Sequence, residues 1–158
     1  MRHSQKKETR EKVDKLLHQY AEYNEATTEA DKDRIGDEMT YADPIVWMMY
    51  KQEAYAGTDH AINTLGDLKK HSTDHGGICA KRMDFLSRFI KENYGKDILN
   101  ATEFSNHMKL EDFYDSDIMN EIISSGDFMK KWETYEFFKR NSVVAKWENY
   151  EDVSSVQL

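Results

Sequence analysis

Asp43-Pro44-Ile45-Val46-Trp47-Met48-Met49-Tyr50-Lys51 is the stretch on which the fold turns. Pro44 fixes φ near its helical value and lacks an N–H that a first helical residue does not use, while Asp43 offers an oxygen to the free amides that follow. Asp43 is therefore read as an N-cap and Pro44 as the first residue of a helix reaching about Ala56. Ile45 to Tyr50 make that helix apolar nearly all round, which marks a central, buried helix that others must surround.

Working outward, the other apolar residues also recur at helical spacing. Ser4 is expected to cap a first helix reaching about Glu25, with Val13, Leu16, Leu17, Tyr20 and Tyr23 on one face. A polar stretch from Thr27 to Arg34 then leads to a short helix near Ile35 to Tyr41, which ends because Pro44 disfavours helical geometry at Asp43. On the other side, Thr58 is expected to cap a helix with the stripe Ala61, Ile62, Leu65 and Leu68, stopped at Gly76-Gly77. Cys79, Met83, Leu86, Ile90 and Tyr94 line the next helix, from about Ile78 to the stop at Gly95.

Phe104 and Met108 fall on a short element, and Asp115 or Ser116 caps a helix carrying Ile118, Met119, Ile122 and Ile123 up to Gly126. Phe128 to Arg140 and Val143 to Tyr150 complete the helices, and the tail Val153 to Leu158 is expected to fray. With one proline, seven glycines and no sustained alternation of apolar and polar residues, strands have little support. The expectation is an all-α fold: an irregular helical bundle of roughly six to eight helices, one domain over residues 1–158.

The chain of 158 residues has three Trp, nine Tyr and seven Phe, enough to build a real core. Thirty acidic against 22 basic residues give a net charge of −8, which argues against a protein that holds nucleic acid directly. The single cysteine excludes an internal disulfide and Cys-rich zinc patterns and fits a reducing compartment. Met1 to Lys12 has no apolar signal-peptide core, and the longest strongly apolar run, Ile45 to Tyr50, falls far short of the roughly 20 residues of a bilayer span. A cytoplasmic protein away from membranes is expected.

Catalytic signatures are missing. There is no Gly-x-Ser-x-Gly elbow, no phosphate-binding glycine loop and no dinucleotide fingerprint. Cys79 lies on an apolar stripe and reads as an inert thiol rather than a nucleophile. Glu133/Glu136 and Glu148/Glu151 pair carboxylates as magnesium-binding helical hydrolases do, but solvated helix faces do the same. Lys131-Trp132-Glu133-Thr134-Tyr135-Glu136 recurs as Lys146-Trp147-Glu148-Asn149-Tyr150-Glu151, which places Trp and Tyr on one helical face, either as core or as a partner's anchor.

Three histidines follow an acid by four residues: Asp14/His18, Asp67/His71 and Glu103/His107. Each is an ordinary helical contact or half of a metal site. His71 and His75, also four apart, can reach one ion if the helix runs through both. Together with His107 and Asp112 they resemble the last two ligand groups of hemerythrin-like oxygen carriers. That likeness spans four residues and stops at Thr64, which stands four after His60 where a carboxylate is needed.

Charge placement says more than any motif. Between Ile98 and Phe128 stand Glu103, Glu111, Asp112, Asp115, Asp117, Glu121 and Asp127 against Lys109 alone, with Phe113 and Tyr114 among them. A run of this kind is a solvated face or a docking surface. The reading adopted is a non-enzymatic, acidic protein-binding module without a cofactor. As an inhibitor or regulator, it would dock on a basic, nucleic-acid-binding surface of a partner protein by mimicking DNA. Its contact residues would be Glu111, Asp112, Phe113, Tyr114, Asp115, Asp117 and Glu121. The alternative is a small metal-dependent helical enzyme or metal-binding protein using His60, His71, His75, His107 and Asp112.

Overall fold

The structure is a computed structural model that describes the backbone of residues 2–134 and the side chains of residues 7–134. Among the described residues eight helices follow one another: α1 (Arg2–Glu25), α2 (Glu29–Thr40), α3 (Pro44–Ala54), α4 (Leu65–His75), α5 (Gly77–Tyr94), α6 (Leu110–Tyr114), α7 (Asp117–Ser125) and α8 (Asp127–Glu133). The fold is all-α, and the one β-type pairing among the described residues is an isolated antiparallel bridge between Thr64 and Lys109. The expected helix over Val143–Tyr150, the end of the one over Phe128–Arg140 and the fraying tail lie outside the described residues.

Helix α3 begins as its sequence dictates. The Asp43 side chain accepts from the N–H groups of Ile45 (2.9 Å) and Val46 (3.1 Å), and Pro44 opens the first turn. The residues of α3 then divide between two clusters. Ile45, Trp47 and Met48 join a larger core built with Leu65, Leu68, Leu86, Ile90, Phe113 and Ile122. Val46 and Tyr50 join a smaller one with Val13, Leu16, Tyr23, Ile35 and Met39 from α1 and α2. Helices α1 and α5 both pack directly on α3, and α1 also meets α2 and α7.

Several boundaries differ from the sequence reading. Ser4 does not start α1, because the helix already runs through it. The polar stretch before Ile35 is helical from Glu29, since the Thr28 hydroxyl accepts from the Asp31 N–H and Glu29 and Asp31 suit the positive end of a helix. Thr58 closes a turn by donating to the Tyr55 carbonyl (2.7 Å). The cap of α4 is Thr64, in a reciprocal box with Asp67. No helix forms around Phe104 and Met108, whereas α6 was not foreseen.

All four amides at the start of α4 are satisfied, in an arrangement that clips two distant segments together. Thr64 N–H donates to Asp67 and Asp67 N–H to Thr64, while Leu65 and Gly66 N–H reach the carbonyls of Met108 (2.9 Å) and Asn106 (3.0 Å). Leu110 N–H returns the bond to Asn63 (3.0 Å). The approach is so close that a Cβ on Gly66 would lie 2.8 Å from the Asn106 carbonyl oxygen. Gly95 and Gly126 take the left-handed conformation that terminates α5 and α7.

Arg82 of α5 is fully enclosed and donates to three carbonyls at the end of α2: Nε to Ala42 (3.0 Å), and Nη2 to Met39 (3.1 Å) and Thr40 (3.0 Å). Its guanidinium also lies over the Trp47 ring. Helix α8 is fastened by aromatics, with Trp132 and Phe128 edge-on to Phe85 (5.2 and 5.3 Å between centroids) and Trp132 Nε1 donating to the Tyr41 carbonyl (3.0 Å). The Trp132 copy of the repeat is thus core; the second copy lies outside the described residues.

Three outcomes follow. Arg82→Met keeps the stem and strands the α2 carbonyls, so denaturant unfolding should show a loss of about 3 to 5 kcal/mol. Gly66→Ala gains about 1 kcal/mol of helix propensity but meets the Asn106 backbone, and overpacking at about 1 to 3 kcal/mol should make the net effect destabilising. Burial holds the Asp43 carboxyl above the ordinary carboxylate range, against the pull of the Val46 and Ile45 amides, Lys12 and Arg82. The folded chain therefore binds that proton more tightly than the unfolded one, and stability falls as pH rises through the window between the two values. Asp43→Asn keeps a cap acceptor without titrating, so its stability relative to wild type should rise across that window.

Candidate functional site

Helices α6 and α7 meet at a corner, held from below by apolar side chains. Leu110 and Phe113 of α6 and Met119, Ile122 and Ile123 of α7 face the core, and the Ser116 hydroxyl caps α7 on the Met119 N–H. What remains outward is acidic. Glu103, Glu111, Asp112, Asp115, Asp117, Glu121 and Asp127 are all exposed, and none forms an ion pair among the described residues. Elsewhere some acids are matched, Asp14 and Glu53 with Arg10, Asp74 with Lys70 and Asp84 with Arg88, and others such as Glu8, Glu11 and Glu92 stand among basic residues.

The field of this face acts on its tyrosines. The Tyr114 hydroxyl is pushed well above its ordinary value by burial and then by the carboxylates of Glu111 and Glu53. Tyr94 is raised by burial and then by Glu121 and Asp127. Tyr114 donates to Gln52 Oε1 (3.2 Å), and the Gln52 amide donates in turn to Glu111.

Among the expected contact residues, Phe113 is a correction. It is completely buried, edge-on to Phe104 at 5.9 Å, and so belongs to the core. The alternation of α6 hid this, because a five-residue helix too short for a periodic signal carries Phe113 inward and Glu111 and Asp112 outward. Tyr114 is half-buried and lines a groove of about 500 Å³. That groove, missed by sequence reasoning, lies between α1, α3 and the α6–α7 corner and is lined by Met49, Ala56, Ile123, Tyr114, Glu53 and Asp115, among others. Nothing in the linear sequence brings residues near 10, 50 and 115 together.

The histidines do not converge. His60 and His107 are exposed in turns, Asp112 is exposed on α6, and only His71 and His75 meet, their rings 4.0 Å apart. Among the described residues no three His, Cys, Asp or Glu side chains are placed to hold a metal ion. The acids expected beside histidines are occupied elsewhere: Asp14 with Arg10, Asp67 in its capping box, and Glu103 on the Asp97 N–H, while His18 pairs with Glu22 (3.1 Å). His71 instead fills the core, edge-on to Tyr55 at 5.4 Å and with Nε2 3.9 Å from the Sγ of the fully buried Cys79. Of the paired glutamates, Glu133 is exposed and the others lie outside the described residues.

Packing rather than ligation at His71 has a measurable consequence. His71→Ala should cost about 2 to 4 kcal/mol in chemical unfolding, as core truncations do, whereas His60→Ala and His107→Ala should stay within about 0.5 kcal/mol. No helix among the described residues is long and apolar enough to cross a membrane. Compared with known proteins, the chain matches no family model, no curated protein and no solved structure.

Proposed function

We propose that this chain is a non-enzymatic protein-binding module whose α6–α7 face docks on a basic partner. The observation that carries the reading is the run from Leu110 to Gly126, where Glu111, Asp112, Asp115, Asp117 and Glu121 are exposed without ion pairs and no basic residue stands among them. Charges left without local partners keep their full field and steer an oppositely charged surface toward them. The partner surface that best suits a row of carboxylates is one built for phosphates, so the module acts in the cytoplasm as an inhibitor or regulator of a nucleic-acid-handling protein, its acids standing in for the phosphate backbone.

A lysine decamer is a simple surrogate for such a surface. Its affinity should fall as salt shortens the screening length from about 30 Å at about 10 mM to about 8 Å at about 150 mM. Reversing Asp112, Asp115 and Asp117 to Lys should weaken binding about tenfold or more. The same reversal at Glu8, Glu11 and Glu25 on α1 should change it far less, and both variants should keep the wild-type circular dichroism. Equal binding by wild type and the first variant at both salt concentrations removes the reading.

A further inference from the structure

The groove beside the acidic corner has two chemistries. Met49, Ala56 and Ile123 give it an apolar lining, Asp115 lines it as well, and Glu111, one helical turn before Asp115 and outside the lining, accepts from Gln52, another lining residue. Arg10 also lines the groove, but its charge is engaged: it donates to Asp14 (2.6 Å) and to both oxygens of Glu53 (2.6 and 2.9 Å). The Gln52 amide is neutral, so Glu111 keeps its full charge, and Asp115 has no ion pair among the described residues. An anion would face those two carboxylates. A purely apolar group would cover them without compensation. The chemistry that fits both parts is a long aliphatic stem ending in a cation.

We infer that this groove receives a lysine or arginine side chain of the basic partner, its stem on Met49, Ala56 and Ile123 and its charged end against Asp115 and Glu111. The inference rests on the docking reading given above and adds to it a specific anchor. A surface of exposed carboxylates reads charge alone, whereas a slot with an apolar lining also reads the length of the stem.

Stem length is therefore the variable to test. The lysine decamer and a decamer of 2,4-diaminobutyrate, two methylenes shorter per side chain, are titrated into the full chain at slightly acidic pH, where both are fully charged. Wild type should bind the lysine peptide about tenfold more tightly, the difference expected when two methylenes leave an apolar slot. Ala56→Phe, which fills the groove, should abolish that preference, while the triple reversal at Asp112, Asp115 and Asp117 should weaken both peptides. Equal affinity of wild type for the two peptides overturns the anchor and leaves the docking face standing, and that comparison needs no variant to fold. A preference that survives in Ala56→Phe also overturns it. Failure of both peptides to bind overturns the anchor and the docking face together.

Discussion

A helix whose first two turns carry no polar face has to be walled in there, and α3 is that helix. Its side chains alternate between two clusters that share no other element so evenly: Ile45, Trp47 and Met48 turn to one, Val46 and Tyr50 to the other, and Met49 touches both. Each large side chain so enclosed contributes roughly 1.5 to 3 kcal/mol relative to exposure. Placing α1 and α2 on one flank and α4 to α7 on the other is therefore the geometric condition for hiding eight of the nine residues from Asp43 to Lys51. The groove and the acidic corner are by-products of how those walls meet.

Enclosure also draws polar groups inside, and each needs a partner. Arg82 meets that demand by bridging α5 to the end of α2, where a helix always has carbonyls to spare. Lys51 is fully buried, with Nζ donating to the Tyr55 hydroxyl (3.0 Å) and lying over the Tyr50 and Tyr55 rings. Trp47 Nε1 has no hydrogen-bond partner among the described residues, a defect costing about 1 to 3 kcal/mol that the packing around it offsets.

The parts of this fold that were legible in the sequence are those with local causes. Asp43-Pro44, Ser116, Gly95 and Gly126 each act on neighbours within four residues, so their roles can be read directly, as can the stripe of α5. Misreadings arose where two local signals competed, as with Thr58 and Thr64, both able to cap. They arose also where charge masked a helix, as over Glu29 to Arg34. The acidity of residues 98–128 and its exposure were visible in advance; the inward turn of Phe113 and the groove were not, because both depend on which helices meet across long stretches of chain.

The clip between residues 63–66 and 106–110 makes the intervening chain a closed loop with α4 and α5 inside it. Closing a loop of that length has an entropic cost that grows only as the logarithm of its size, and the packing of α4 on α5 shortens the distance to be closed. In the native ensemble the clip gives this segment its own unit of opening, in which the Leu65, Gly66 and Leu110 amides exchange together with solvent while those at the centre of α3 wait for the whole chain to unfold.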